Sequence, residues 1–163
     1  MGESYSESES ALALGVSRGR KGVCRVPQVL VVDDDRAIRE MLRIALEAEG
    51  YGVLTFRDGR EVLEVLADVD EPAVVLLDLM MPGVSGWEVC ARLESDPALL
   101  GQHRVVAMTA GLLPGDRCPE PACALLRKPF PLERLYTLLE RLFSVPVHDM
   151  VYETPTELPR VAS

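Results

Sequence analysis

Carboxylates, a hydroxyl and an ammonium recur in this chain at one kind of place, the polar position that follows a short apolar run. Asp33-Asp34-Asp35 follows Val29–Val32, Asp78 follows Val74–Leu77, Thr109 follows Val105–Met108, and Lys128 stands just past Ala124–Leu126. Carboxylates brought together from two such runs repel by about 4 kcal/mol for a pair about 4 Å apart in an effective dielectric of about 20. A cation must join them. Mg²⁺ suits the task because it takes hard oxygen ligands, keeps several waters and bridges one or two carboxylates to a phosphoryl oxygen. Lys128 adds a second, mobile positive charge and Thr109 a neutral hydroxyl donor, so the set makes a pocket for an anion. With its charge offset in this way, Asp78 can attack phosphorus and become an aspartyl-phosphate. The metal, Lys128 and Thr109 then stabilise the equatorial oxygens of an in-line transfer.

These residues meet only if the apolar runs are neighbouring strands with all their ends on one side. The runs, together with Val53–Phe56, are of the β-rich, continuous kind that is buried on both faces of a parallel sheet. Between them lie helical periods. Ile38, Met41, Leu42, Ala45 and Leu46 make one apolar face that Gly50 can end in a left-handed cap. Asp58 with Glu61 resembles a capping box opening a second helix with Val62, Val65 and Leu66 inward, and Val89, Cys90 and Leu93 line a third that ends before Pro97. A last helix opens at Pro131 and buries Leu132, Leu135, Tyr136, Leu139, Leu142 and Phe143. Between Thr109 and Lys128, Pro114, Gly115, Pro119 and Pro121 leave room for a helical turn or two at most, so the fourth helix is expected to be degraded. Five strands joined by helical crossovers predict an α/β fold, a doubly wound five-stranded parallel sheet in the flavodoxin-like order 2-1-3-4-5. In such sheets the site lies beyond the carboxyl ends of the strands, where the strand order reverses.

The chain has 163 residues, 48% of them hydrophobic, which suits one domain with a buried core. Residues 28–145 are expected to form it, with a flexible N-terminal arm over 1–27 and a C-terminal tail over 146–163. The formal charge of −9 disfavours broad contact with a phosphate backbone, so no direct nucleic-acid binding is expected. No apolar run approaches the roughly 20 residues needed to span a bilayer, and the acidic, serine-rich start does not read as a signal sequence. A soluble, cytoplasmic protein without membrane contact is expected. Cys24, Cys90, Cys118 and Cys123 form no Cys-x-x-Cys pair and read as buried or incidental thiols, with a contact between Cys118 and Cys123 as the redox alternative. His103 and His148 have no evident partner, and Trp87 is either an interface anchor or packed on neighbouring chain.

From Gln28 to Phe143 the chain resembles the response-regulator receiver family of two-component signalling. The resemblance rests on Val-Val-Asp33-Asp34-Asp35, on Asp78-Leu-Met-Met-Pro82 with Gly86 beyond, on Met108-Thr109-Ala110 and on Lys128-Pro129-Phe130, in that order and spacing. It implies that Asp78 is phosphorylated by a histidine kinase or a histidine phosphotransfer protein. It also implies that Asp34 and Asp78 ligate Mg²⁺ with the backbone carbonyl of Met80, that Asp33 assists through water, and that the peptide before Pro129 is cis. Asp35 stays outside the pocket. The chain departs from the pattern at Leu125, where the family usually has Tyr or Phe, and in the proline-broken segment, which puts the usual output surface in doubt. A monomer acting on a downstream protein is expected, rather than the homodimer of receivers linked to DNA-binding outputs.

Taken singly, each residue has a plainer use: Asp33–Asp35 as a turn that caps a helix from Arg36, Asp78 as a loop carboxylate, Thr109 as a strand end, Lys128 as a surface lysine. Their convergence on one edge favours the site. Two other functions compete. Asp33-x-Asp35 after a strand resembles a Mg²⁺-dependent phosphohydrolase of the haloacid-dehalogenase class, although Arg36 and Ala37 replace that family's Gly and Thr. A receiver-like interaction module that has lost phosphorylation is the second, against which the full set of pocket residues argues.

Overall fold

A computed structural model describes residues 26–69, 71–101, 103–111, 113 and 118–144. Residues 1–25 of the expected arm and the whole expected tail lie outside the described residues.

The β-branched and leucine-rich runs form strands β1 (Gln28–Val32), β2 (Gly52–Phe56), β3 (Ala73–Asp78), β4 (Arg104–Thr109) and β5 (Ala122–Arg127). They pair in parallel in the order β2-β1-β3-β4-β5. Side chains alternate across the sheet because the strand period is two. Leu30, Val32, Val75 and Leu77 point to one face, and Val29, Val31, Val74 and Leu76 to the other. Both faces are covered, which is why the runs are apolar without a polar alternation.

Helices α1 (Arg36–Ala48) and α5 (Leu132–Ser144) cover one face through Leu42, Leu46, Leu135, Leu139 and Leu142. Helices α2 (Gly59–Leu66) and α3 (Gly86–Ser95) cover the other through Val62, Leu66, Val89, Cys90 and Leu93. Each buried Leu or Val stabilises the fold by roughly 1.5–3 kcal/mol relative to exposure. A short helix, α4 (Pro97–Leu100), follows α3; Asp96 ends the one and caps the other, accepting a hydrogen bond from the Leu99 amide.

Local details depart from expectation in small ways. Met41, expected on the buried face of α1, is 45% exposed. Leu42 and Leu46 set the centre of the stripe, and one residue back along the helix is a rotation of about 100°. The Asp58–Glu61 pair is not a reciprocal box: Asp58 accepts from the Arg60 and Glu61 amides, while the Glu61 carboxylate takes the Arg57 amide instead. The reciprocal box lies at α3, between Ser85 and Glu88. Gly50 ends α1 at φ 88° as predicted, with its own amide and that of Tyr51 bonded to Glu47 and Leu46 in a Schellman motif. β5 is longer than its apolar run because the pairing slips past Cys123, and Pro131 precedes rather than opens α5. Between Thr109 and β5 no helix is present among the described residues; Gly111's neighbour Leu112 and residues 114–117 lie outside them.

His103, for which the sequence offered no partner, is 2% exposed just before β4, and its Nδ1 meets no hydrogen-bond partner among the described residues. Burial lowers its pKa below 6.5, opposed by a hydrogen bond with the Leu66 backbone. The unfolded chain therefore binds this proton first. The stability contributed is full above about pH 6.5 and is lost as pH falls through that value toward the lowered one, at about 1.4 kcal/mol per unit of pKa depression. Thermal unfolding at pH 7.5 and 5.5 should show a larger drop in midpoint for the wild type than for His103→Gln. Equal drops would mean that His103 is protonated in the fold.

Candidate functional site

The strand order reverses between β1 and β3: α1 leaves β1 toward one face, and α3 follows β3 on the other. The two strands are in register, so their carboxyl ends deliver Asp33 and Asp78 side by side. Asp33 continues the strand pairing through its amide to the Phe56 carbonyl, is wholly buried, and accepts the Asp35 amide at 2.9 Å on Oδ1. Asp78 ends β3, is 6% exposed, and accepts the Met80 amide at 3.0 Å on Oδ1.

Lys128 joins them. Its Nζ donates to Asp33 Oδ2 at 2.5 Å and to Asp78 Oδ2 at 2.8 Å. Its own amide donates to the Thr109 carbonyl at 2.7 Å, which ties the end of β5 to the end of β4. The Lys128–Pro129 peptide is cis, as the resemblance implied, and so is Glu120–Pro121, which the sequence did not signal. Burial raises the Asp33 pKa, opposed but not cancelled by the Lys128 hydrogen bond. Burial alone would lower the Lys128 pKa, yet its bonds to Asp33 and Asp78 outweigh that and raise it. The ammonium is thus held charged between two acids.

Asp33, Asp34 and Asp78 each offer an oxygen atom within 4.8 Å of the others. Three hard oxygen donors with one of the group exposed to solvent fit a small, hydrated divalent cation better than a softer metal. Asp35 stands apart. It is the N-cap of α1, accepting the Ala37 and Ile38 amides at 2.7 and 3.4 Å. The plain reading of the triplet as a helix cap is therefore correct for Asp35 alone, and the same contacts remove it from the Asp-x-Asp pair that a hydrolase needs.

Thr109 ends β4 and is buried, but its hydroxyl oxygen accepts the Gly111 amide at 3.1 Å and is not bonded to Asp33, Asp78 or Lys128. Met80 brings its amide to Asp78 and leaves its side chain 65% exposed over the edge. Gly86 opens α3 so close to β3 that a Cβ there would collide with the Asp78 carbonyl and come within 2.8 Å of the Leu79 Cα. The helix can approach the phosphoacceptor candidate only with glycine at that position.

Trp87 packs with Cys118, Ala122 and Leu125 around buried Leu79, Ala107 and Leu113, which favours the packing reading over the anchor. Cys90, Cys118 and Cys123 are free thiols. Burial pushes Cys90 up to about 12 and Cys118 up to about 11, so neither is a ready nucleophile, and Cys123 lies 3.2 Å from the Val105 carbonyl. One contact was missed altogether: Arg39 reaches back from α1 to the acidic turn. No sequence signal marked it, because its acceptors are backbone carbonyls.

Comparison with known proteins agrees with this geometry. The model of the response regulator receiver domain matches residues 29–140. The response regulator MprA of Mycolicibacterium vanbaalenii is 42% identical over 121 residues, which are 71% of this chain and 49% of that protein. The chain thus spans about half the length of the curated relatives it matches. Among solved structures, a CheY-like receiver domain protein from Methanospirillum hungatei aligns with TM-score 0.66 and 27% identity, over 76% of this chain and 98% of that one. The response regulator TrrA of Thermotoga maritima, solved in complex with Mg²⁺ and BeF, aligns with TM-score 0.62 and 29% identity, over 72% and 99%. No helix among the described residues is long and apolar enough to cross a membrane. An acidic pocket at the switch point of a 2-1-3-4-5 sheet, bridged by a lysine, and a family match across that whole sheet lead to one conclusion: this chain belongs to the response regulator receiver family of two-component signalling.

Proposed function

We propose that this receiver is a phosphoacceptor: Asp78 takes a phosphoryl group from a phosphohistidine of a histidine kinase or histidine phosphotransfer protein, and the change alters a protein-interaction surface. The observation that carries the reading is the Lys128 ammonium held between Asp33 and Asp78 at one sheet edge, with Asp34 beside them. An Asp78 carboxylate oxygen attacks phosphorus, the phosphorus–nitrogen bond of the donor breaks, and the imidazole leaves with the electron pair and takes a proton. Lys128 turns from the carboxylates to an equatorial phosphoryl oxygen, and the Thr109 hydroxyl swings from Gly111 to another. Asp34 and Asp78, with the Met80 carbonyl and with Asp33 acting through water, would hold Mg²⁺. When bound, that ion supplies a hard positive charge that offsets the acids and the incoming phosphoryl group. The structure of TrrA with Mg²⁺ and BeF supports this assignment by analogy.

The protein acts in the cytoplasm as a regulator rather than an enzyme with turnover. Its formal charge of −9 argues against direct nucleic-acid contact by this chain, so its output is read as a protein-interaction surface. Leu125 has no hydroxyl to follow Thr109, and its side chain belongs to the Trp87 cluster, so a monomer is the expected state in both forms.

Intact-mass spectrometry after acetyl phosphate should show one adduct of about 80 Da, one phosphoryl group, only with a divalent cation. Asp78→Asn should abolish it. Lys128→Ala should slow it on the order of a hundredfold while cation affinity is kept or raised, since the lysine meets the phosphoryl group and not the metal. An adduct that survives in Asp78→Asn would remove Asp78 from this role.

The phosphorylated state should be long-lived, because Met80 and Gly111 offer no polar side chain to orient an attacking water. Loss of the adduct should take minutes or longer, and Met80→Gln should speed it more than it changes cation affinity. Decay of the wild type within seconds would show that another group positions the water.

With beryllofluoride, hydrogen exchange should change most at Ala110, Gly111 and Cys118–Cys123, where Thr109 pulls its loop away from the Gly111 bond. Light scattering on the same sample should stay at the monomer mass. A stable dimer, or unchanged exchange at those amides, would count against this route of output.

A further inference from the structure

We infer that Arg39 is a positioning residue for the cation pocket, acting through Asp34; the inference rests on the phosphoacceptor reading above. Arg39 Nη1 donates to the Asp33 carbonyl at 2.6 Å and to the Asp34 carbonyl at 2.9 Å, so one guanidinium spans two consecutive peptide planes of the acidic turn. The carboxylates around it are held unequally. Asp33 is fixed by the Asp35 amide and by Lys128, and Asp78 by the Met80 amide and by Lys128. Asp34 is exposed, and its carboxylate makes no hydrogen bond among the described residues. Its direction is therefore set by its backbone, and Arg39 clamps that backbone on both sides of its Cα. The placement is not one that α1 favours by itself, since its first turn carries no acidic residue and Arg39 sits at the positive end of the helix dipole. The two carbonyl bonds offset that; both leave one planar nitrogen whose N–H directions the guanidinium fixes, whereas the ammonium of lysine rotates freely on a flexible stem.

Charge and position here have opposite signs, which makes the role testable. A guanidinium this near the pocket repels a cation, so removing it should tighten binding if charge alone mattered, and weaken binding if it orients Asp34. The full-length chain would be titrated with Mn²⁺, counted by electron paramagnetic resonance, at a temperature well below each variant's unfolding midpoint. Arg39→Met should weaken Mn²⁺ binding about tenfold, in the range found when partners that orient metal ligands are removed. In an Asp34→Asn background the same change should cost no more than about twofold, because the ligand it orients is already altered. Arg39→Lys, which keeps the charge without the fixed N–H directions, should give an intermediate loss, and it decides the question should Arg39→Met not fold. Unchanged or tighter binding in these variants, or an equal loss in both backgrounds, would overturn the role. A wild-type chain that binds no Mn²⁺ would instead overturn the cation pocket, and this role with it.

Discussion

The ammonium of Lys128 between Asp33 and Asp78 is the contact on which the upper edge of this molecule depends. Two buried or nearly buried carboxylates at the ends of adjacent parallel strands would force each other apart or take up a proton. One cation bonded to both offsets that repulsion. Because the lysine is contributed by the end of β5, the bond also fastens the far side of the sheet to its centre, and the amide of the same residue fastens β5 to β4. The cost of burial is visible in Asp33, whose pKa stays raised even with Lys128 beside it. Such an arrangement is poised: any new charge placed on Asp78, or any cation added beside it, changes what Lys128 must balance.

Around this contact the chain spends local chemistry on fixing where helices begin. Asp35 caps α1, Asp58 caps α2, and Ser85 with Glu88 caps α3, so three helix starts are pinned near the same edge by short polar side chains. Gly86 then lets α3 come against the backbone of Asp78 and Leu79. The rigid floor is apolar, with Leu77 and Leu76 beneath Asp78 and Val32 and Val31 beneath Asp33, all fully buried. Above it lie the Thr109 hydroxyl, bonded to the Gly111 amide, the exposed Met80 side chain and the Lys128 ammonium, bonded to both carboxylates.

The side of the sheet near β4 and β5 is built differently from the rest. Leu79, Ala107 and Leu113 form a small core of their own, with Trp87, Cys118, Ala122 and Leu125 packed round it. β5 is an edge strand whose side chains are mostly half-buried, and its pairing with β4 slips at Cys123. β5 is less buried than β1 and β3, and its end adjoins Thr109.

Strands, their parallel pairing and the edge at which the polar residues gather were legible in the sequence, because burial on both faces demands unbroken apolar runs and four of the five runs are followed by a candidate residue. Asp33, Asp34, Asp78, Thr109 and Lys128 could be named from that pattern. What the pattern could not contain is direction. Nothing in the order of residues says that Thr109 turns toward Gly111, that Glu61 bonds Arg57 rather than Asp58, or that Met41 falls outside the buried stripe of its helix, since each outcome is a choice among near-equal local partners decided by packing. Arg39 was invisible for the same reason: its partners are carbonyl oxygens, which every residue possesses and no sequence pattern marks. Chemistry that depends on side-chain type can be read along the chain, whereas chemistry that depends on which backbone group faces which side chain exists only once the turn is folded.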